Sequence, residues 1–301
     1  MTTESGSIST KSVAIMITTH NRLSELQRTW SVLSNLAPQP GELLITADGC
    51  TDGTEQWVKE NIPEAKLFVN APGQGSIPSR DRMLRETMCD LVLSLDDDSY
   101  PMETDAITKI ANWFADKTRV GVATFPLNTE EHPETLAKTT FKELGEVATF
   151  PNCAACFDVG VYKKLPGFPE FFFHSYEEPD YGLQCITNDY VVFHTNIVTI
   201  RHHWTSLGRD EIKVHQGHAR NELWSSLMRV PMPWLPGIVL YRVVSQFRYA
   251  CTRGIGWVIL EPFWWWRATK GIAHCLRNRK PVSWSKYRKW LRLLREANLN
   301  S

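Results

Sequence analysis

The stretch Leu91-Val-Leu-Ser-Leu-Asp-Asp-Asp-Ser99 sets an apolar run directly against three consecutive carboxylates, Asp96, Asp97 and Asp98. A short apolar run bounded by turn signals reads as a strand buried on both faces, as in a parallel sheet. Ligands in open α/β sheets bind at the carboxyl ends of such strands. Adjacent carboxylates repel one another, and no lysine or arginine stands within several residues on either side. A hard divalent cation carrying phosphates would relieve that repulsion, since Mg2+ takes one or two carboxylates plus substrate phosphate oxygens. A solvated acidic turn is the bland alternative, and the position straight after a buried strand favours the metal.

Toward the N-terminus, Val13-Ala-Ile-Met-Ile-Thr18 reads as the first buried strand, ending in the polar loop Thr18-Thr-His-Asn-Arg22. Leu23, Leu26, Trp30 and Leu33 then recur at helical spacing, with Ser24 and Gln27 placed for a capping box. Leu43-Leu-Ile-Thr-Ala47 is a second strand, and Asp48-Gly-Cys-Thr-Asp-Gly-Thr54 a tight turn whose glycines permit positive φ. A helix over 55–61 and a strand over 66–69 continue an alternation that argues for right-handed crossovers in an α/β sheet. The loop Ala71-Pro-Gly-Gln-Gly-Ser-Ile-Pro78 feeds a helix over 79–88. Arg80 lies near its start, where backbone N–H groups and the dipole favour anions, and is a candidate diphosphate contact. Arg82 and Arg85 suit a solvated face equally well.

Beyond the acidic strand end, a helix over 104–114 and a strand over 120–125 follow, and residues 126–150 carry no clear pattern. Asn152-Cys-Ala-Ala-Cys156 has Cys-x-x-Cys spacing but neither a second pair for zinc nor a thioredoxin-like context, so it reads as small residues lining a wall. Glu177, Glu178 and Asp180 open a helix after the aromatic approach Gly167-Phe-Pro-Glu-Phe-Phe-Phe-His174. Dipole complementarity accounts for one or two of these carboxylates. A carboxylate beside so many aromatics can have a raised pKa and act as a general base. Strands near 190–193 and 197–200 lead to Arg201-His-His-Trp-Thr-Ser206, whose two adjacent histidines are candidate ligands for the ion bound upstream.

With 301 residues and 43% hydrophobic content, the chain suffices for one large domain, or one domain with an appendage. Its zero net charge hides an asymmetry. Residues 1–228 hold 19 Lys/Arg against 31 Asp/Glu, whereas 229–301 hold 14 against 2. An acidic body with a basic tail is the reading. Seven cysteines without framework spacing, and an N-terminus unlike a signal peptide, set a reducing, cytoplasmic expectation. No stretch reaches 18 uncharged apolar residues, which argues against a spanning helix. After the hinge prolines Pro231, Pro233 and Pro236, three helical stretches combine Trp257, Trp264, Trp265 and Trp266 with Arg242, Arg248, Arg267, Lys270, Arg277, Arg279 and Lys280. Tryptophan on one face and cations on the other suit a helix lying in a membrane interface. A subdomain packing its tryptophans against the acidic body would share this composition, and no nucleic-acid module is present.

In order, these motifs resemble those of a family 2 glycosyltransferase with the GT-A fold, inverting and rhamnosyltransferase-like, over residues 12–210. Thr18-Thr-His-Asn-Arg22 is similar to the family's Thr-x-Asn-Arg turn, and Asp48 to Thr54 to its Asp-x-Ser-x-Asp-Gly-Thr turn. Leu95-Asp-Asp-Asp98 resembles the Asp-x-Asp metal motif, and Gly167-Phe-Pro-Glu170 a Gly-Gly-Phe-Asp-Glu segment lacking one glycine. Glu177-Glu-Pro-Asp-Tyr-Gly-Leu-Gln184 resembles Glu-Asp-x-Asp-Leu-x-x-Arg, and His203-Trp-Thr-Ser206 a His-x-x-Ser segment. Glu178 stands where the family has its catalytic aspartate, and Gln184 replaces an arginine.

Beside a flexible leader over 1–11 and the helical, basic, membrane-associating extension that composition suggests over 229–301, the resemblance implies a GT-A catalytic domain over 12–228. It further implies transfer from a UDP-, GDP- or dTDP-sugar to a glycan or lipid-linked acceptor at the inner face of the membrane. The donor would contact Thr18, His20, Arg22, Asp48, Gln74, Arg80, Asp96 and Asp97. Asp98 and His203 would hold Mg2+ or Mn2+, and Glu178, or in its place Asp180, would be the base. Two other classes stay open: a sugar nucleotidyltransferase, disfavoured by the absence of glycine after the first strand, and a non-catalytic carbohydrate-binding scaffold, for which Glu178 and Gln184 leave room.

Overall fold

The computed structural model describes residues 11–130, 145–203 and 210–299. Strand β1 (Val13–Thr19) is apolar throughout its first five residues because both its faces are covered. It pairs in parallel with β2 (Glu42–Asp48) on one side and β4 (Leu91–Asp96) on the other, and β3 (Lys66–Asn70) extends the parallel run. Helices α1 (Leu23–Leu33), α2 (Thr54–Asn61) and α3 (Ser76–Glu86) make the crossovers. α3 starts three residues before the helix expected from sequence. Pro78 falls in its first turn, where a missing N–H is not felt.

Past β4, the small residues over 152–156 are buried. They lead into β9 (Ala155–Asp158), which lies antiparallel between β4 and β6 (Val120–Thr124). β10 (Val191–His194) and β8 (Gly145–Val147) complete the main sheet, ordered β3-β2-β1-β4-β9-β6-β10-β8. A smaller sheet, β5-β11-β7, joins β5 (Ser99–Pro101), β11 (Ile200–His202) and β7 (Leu127–Asn128). It brings the chain just after Asp98 against the His202 strand. Helices α4 (Ala106–Phe114) and α5 (Val159–Lys164) cover opposite faces of the main sheet, and α6 (Glu177–Thr187) carries the second acidic cluster.

The basic C-terminal region is helical, as the sequence implied: α8 (Leu235–Arg253), α9 (Ile255–Arg277) and α10 (Trp284–Leu299). The helix before it, α7 (Glu211–Arg229), falls in the stretch assigned to the catalytic domain yet packs against α8 and α9. Trp224 of α7 sits over Gly271 of α9 and donates its indole N–H to the Ala268 carbonyl at 2.8 Å. α7 also locks onto α6. Arg229 donates to Asp180 at 3.0 and 3.1 Å, Ser225 at 2.7 Å, and Gln184 of α6 itself at 2.7 Å. Burial alone would raise the Asp180 carboxyl, but the Arg229 cation and these donors hold it below the usual range.

Removing one member of a buried pair strands the other charge. Arg229→Met is therefore expected to cost about 3–5 kcal/mol in urea denaturation, and the Asp180→Leu/Arg229→Met double variant to recover most of it. Because the folded Asp180 pKa is depressed, the pair's contribution is complete above the ordinary carboxylate range and fades as acid protonates it. The wild-type advantage over the double variant should therefore shrink below pH 4, roughly the unperturbed carboxylate value. At the α7–α9 contact, Gly271→Ala would put a methyl 2.3 Å from the Trp224 ring. Overpacking of that kind should lower stability by roughly 1–3 kcal/mol, with a changed tryptophan emission as the local signature.

Candidate active site

Three loops at the carboxyl ends of β1, β2 and β3 form one lip. Asn21, at φ 52°, accepts from the Thr51 N–H at 2.7 Å, and His20 Nδ1 lies 2.5 Å from the Asp48 carbonyl, so that nitrogen carries the proton. Both Asp48 carboxylate oxygens are engaged. Oδ1 accepts from Asn70 Nδ2 at 2.8 Å and the Gln74 N–H at 2.7 Å, while Oδ2 accepts from the Gly75 N–H at 2.8 Å. Asp48 thus folds the 71–75 loop over the lip, and Gln74 stands exposed on it. A Cβ on Gly49 would meet the Gly73 nitrogen at 2.8 Å, which is why the turn needs glycine. Thr18, half-buried at the end of β1, pairs in register with Asp96.

The aspartates divide their tasks. Asp97 is buried; desolvation pushes its carboxyl up to about 7 against the pull of Arg22, 3.3 Å away. Asp98 is buried too, but Arg22 at 2.6 Å and His202 at 3.3 Å outweigh desolvation and keep it ionised. Asp96 is the most open of the three and is held by the Arg80 guanidinium. Arg80 also reaches Glu177 at 3.9 Å, so the side chain expected on a diphosphate bridges the two acidic clusters.

His203 has partners of its own. Its ring lies 3.0 Å from the Tyr100 hydroxyl and 3.2 Å from Arg201 Nη2, while its N–H donates to the Asp98 carbonyl at 2.9 Å. Side chains alternate along a strand, and the pairing of His202 with Ser99 turns His202 toward the aspartates. Asp96, Cys153 and His202 have ligand atoms within 4.8 Å of one another. Beside them, Asp98 Oδ1 is buried and faces His202 Nε2 at 3.3 Å. Burial would lower the His202 pKa, but Asp98 and Cys153 raise it to about 10. A pocket that recruits a proton and Arg22 onto its carboxylates is one built for positive charge. A carboxylate, an imidazole and a thiol are able to hold a divalent ion. The remainder of the His-x-x-Ser segment, Trp204 to Ser206, lies outside the described residues, as do residues 1–10 of the leader.

The two candidate bases also separate. Asp180 is fully enclosed by Arg229, Ser225 and Gln184 and presents no surface to a substrate. Glu178 is part-exposed, and its carboxyl is driven well above the usual range by burial and then by the adjacent Glu177 carboxylate, with Arg80 opposing. Glu177 accepts from Asn152 Nδ2 at 2.8 Å, and its second oxygen is buried without a partner. A cleft of about 520 Å3 opens between the body and α9, lined by Gln74, Pro78, Phe168, Glu170, Phe171 and His274. Sequence reasoning missed Arg229 and Ser225, whose partners lie more than forty residues away along the chain.

Residues 14–160 match the model of glycosyl transferase family 2. No curated protein sequence matches the chain. Among solved structures, GalNAc-T7 with UDP, GalNAc and Mn2+ superposes with a TM-score of 0.60 at 10% identity, over 74% of this chain and 49% of that one. S. aureus TarS 1-349 gives 0.54 at 16% identity, over 72% and 65%. The Pyrobaculum calidifontis mannosyltransferase PcManGT, solved with GDP-Man and Mn2+, gives 0.56 at 16% identity, over 96% and 87%. The chain therefore spans about half of GalNAc-T7 and just under two thirds of TarS 1-349, and at these identities the likeness speaks for the fold. The strand order and the superposed structures give this chain the GT-A glycosyltransferase fold, and residues 14–160, just under half of it, match glycosyl transferase family 2.

Proposed function

We propose that the protein transfers a sugar from a nucleoside-diphosphate sugar to a hydroxyl of a glycan or lipid-linked acceptor, with inversion and with Glu178 as general base. The observation that carries this reading is the state of Glu178: part-exposed, proton-affine, and adjoining Glu177, which Arg80 ties to the Asp96 turn. The nucleoside would rest on the lip formed by Thr18, His20 and the loop that Asp48 holds. Asp96 and His202, with Cys153 and Asp98 beside them, would hold the divalent cation. When bound, that ion would offset the charge developing on the departing diphosphate. The acceptor oxygen attacks the anomeric carbon as the bond to the diphosphate oxygen breaks, and its electron pair leaves with the nucleoside diphosphate. Glu178 takes the hydroxyl proton. The cleft lined by Phe168, Phe171, His274, Gln74 and Glu170 would receive the acceptor.

The reading extends to where the reaction takes place. Leu240, Tyr241, Ile255, Ile259, Phe263 and Trp266 are exposed on α8 and α9, interspersed with exposed Arg248, Arg253, Arg267 and Lys270. No described helix is long and apolar enough to cross a membrane. Apolar and aromatic groups among cations suit the headgroup boundary of an anionic leaflet, each cation contributing about 1 kcal/mol. A peripheral position on the cytoplasmic membrane face would suit an acceptor anchored in lipid.

These assignments are open to direct test. Glu178→Gln should lower turnover by about 10²–10⁴-fold, the usual contribution of a general base, with donor KM little changed. Since the raised carboxyl must be ionised to accept a proton, wild-type rate should climb with pH and level off only near pH 8. Screening UDP-, GDP- and dTDP-sugars for Mn2+-dependent release of the nucleoside diphosphate identifies the donor, and silence across the panel would sink the enzymatic reading. Separately, the protein should co-sediment with phosphatidylglycerol vesicles and not with phosphatidylcholine vesicles. An Ile259→Glu/Trp266→Glu variant should lose at least tenfold in partitioning, about 1.4 kcal/mol or more.

A further inference from the structure

The backbone just ahead of Glu178 is strained. Phe173, Ser175 and Tyr176 have φ of 68°, 73° and 73°, a region that costs residues with side chains about 1–3 kcal/mol each. Such a turn persists only where its surroundings over-determine it. On one side is the donor loop. The Phe173 carbonyl accepts from the Ile77 N–H at 3.3 Å, and a Cβ on Gly75 would lie 2.3 Å from that same carbonyl. On the other side is α7. Asn221, fully buried, donates Nδ2 to the carbonyls of His174 and Ser175, each at 2.8 Å, and to that of Phe172 at 3.2 Å. Arg220 adds a second donor to the Phe172 carbonyl at 3.0 Å.

These bonds are not what docks α7. The Arg229–Asp180 pair, Ser225 and Trp224 already fix the helix to α6 and α9. The Nδ2 bonds of Asn221 serve the turn alone. Its Nδ2 has two hydrogens for three carbonyls, so the grip works only while the three oxygens converge, and they converge only while the positive-φ residues keep their conformation. The first turn of α6, with Glu177 and Glu178, is continuous with this backbone.

We propose that Asn221 is a positioning residue for the transfer reaction: by gripping the carbonyls of residues 172, 174 and 175 it holds the strained turn and so aims the Glu178 carboxylate. The inference rests on Glu178 being the base. Loss of the grip lets residues 175 and 176 relax toward negative φ, and Glu178 then departs from its line to the acceptor, while the Asp48 bonds to Gln74 and Gly75 still hold the nucleotide lip.

The test is steady-state kinetics on the full chain with whichever donor the panel identifies. Asn221→Ala should lower kcat by about 10–100-fold and leave donor KM within about twofold, in line with a misplaced catalytic group. Glycine adopts positive φ without strain. Ser175→Gly in the Asn221→Ala background should therefore restore most of the lost turnover, which no loss of mere bulk would allow. Its acid limb should return to the wild-type position as well. Should Asn221→Ala fail to fold, Asn221→Ser takes its place with the same outcomes. A folded variant with wild-type kcat overturns the proposal, as does one whose loss is not recovered by Ser175→Gly. Glu178→Gln run alongside separates the two claims: if it is inactive while Asn221→Ala is fully active, only the positioning role fails. If Glu178→Gln keeps wild-type turnover, the base assignment fails and this inference with it.

Discussion

Six carboxylates crowd the carboxyl edge of the sheet, and how each is neutralised organises everything around them. Asp96 and Glu177 share Arg80, Asp97 and Asp98 share Arg22, His202 adds to Asp98, and Asp180 has Arg229. Among the described residues, Glu178 is the member of the group with no cation in ion-pair reach. Its raised proton affinity follows from that omission, because a desolvated carboxylate beside another has no other way to lower its energy than to bind a proton. The same repulsion that would destabilise an acidic turn is thus converted into two properties: a site that favours positive charge, and a carboxylate disposed to take a proton.

Much of this was legible in the sequence, and the limit is physical. Strands β1, β2 and β4 are written as apolar runs because both faces are buried, and the run of three aspartates marks the end of β4 without ambiguity. Which of His202 and His203 is turned toward the aspartates was not legible. It depends on the phase of β11 against β5, and a one-residue shift in register would exchange the two side chains. Nor was Asp180 separable from Glu178, since both open the same helix and only a partner far along the chain distinguishes them. Arg229 is instructive here. The resemblance placed an arginine at position 184, where this chain has glutamine; the cation that Asp180 needs comes from α7 instead, and Gln184 adds a neutral donor beside it. Local spacing cannot report a charge that has moved to another helix.

The boundary between body and extension shifts for the same reason. Charge composition divides the chain at residue 229, yet the helix ending there belongs to both parts. Asn221, Ser225 and Arg229 recur at intervals of four and line one face of α7, directed at the turn before α6 and at α6 itself. His215, Gln216 and Glu222 line another. His215 meets Glu261 at 2.7 Å, Gln216 donates to the Leu260 carbonyl at 3.1 Å, and Glu222 takes Arg242 at 2.8 Å and Gln246 at 2.7 Å. A helix polar on two sides is a poor candidate for a surface element and a good one for a partition wall.

That arrangement bears on why the extension carries so much apolar surface without collapsing onto the body. The inner faces of α8 and α9 are occupied by buried polar pairs with α7, whose geometry is specific and whose disruption would strand charges such as Glu222 and Glu261. Their tryptophans therefore split. Trp264 turns inward and donates to Glu261 at 2.8 Å, while Trp266, two residues on, stays outside with Lys270 against its ring. Hydrophobic burial alone would have drawn both toward the core. Polar pairing on the inner face fixes which aromatics face out, and the exposed apolar surface of the hairpin follows from the partition wall behind it.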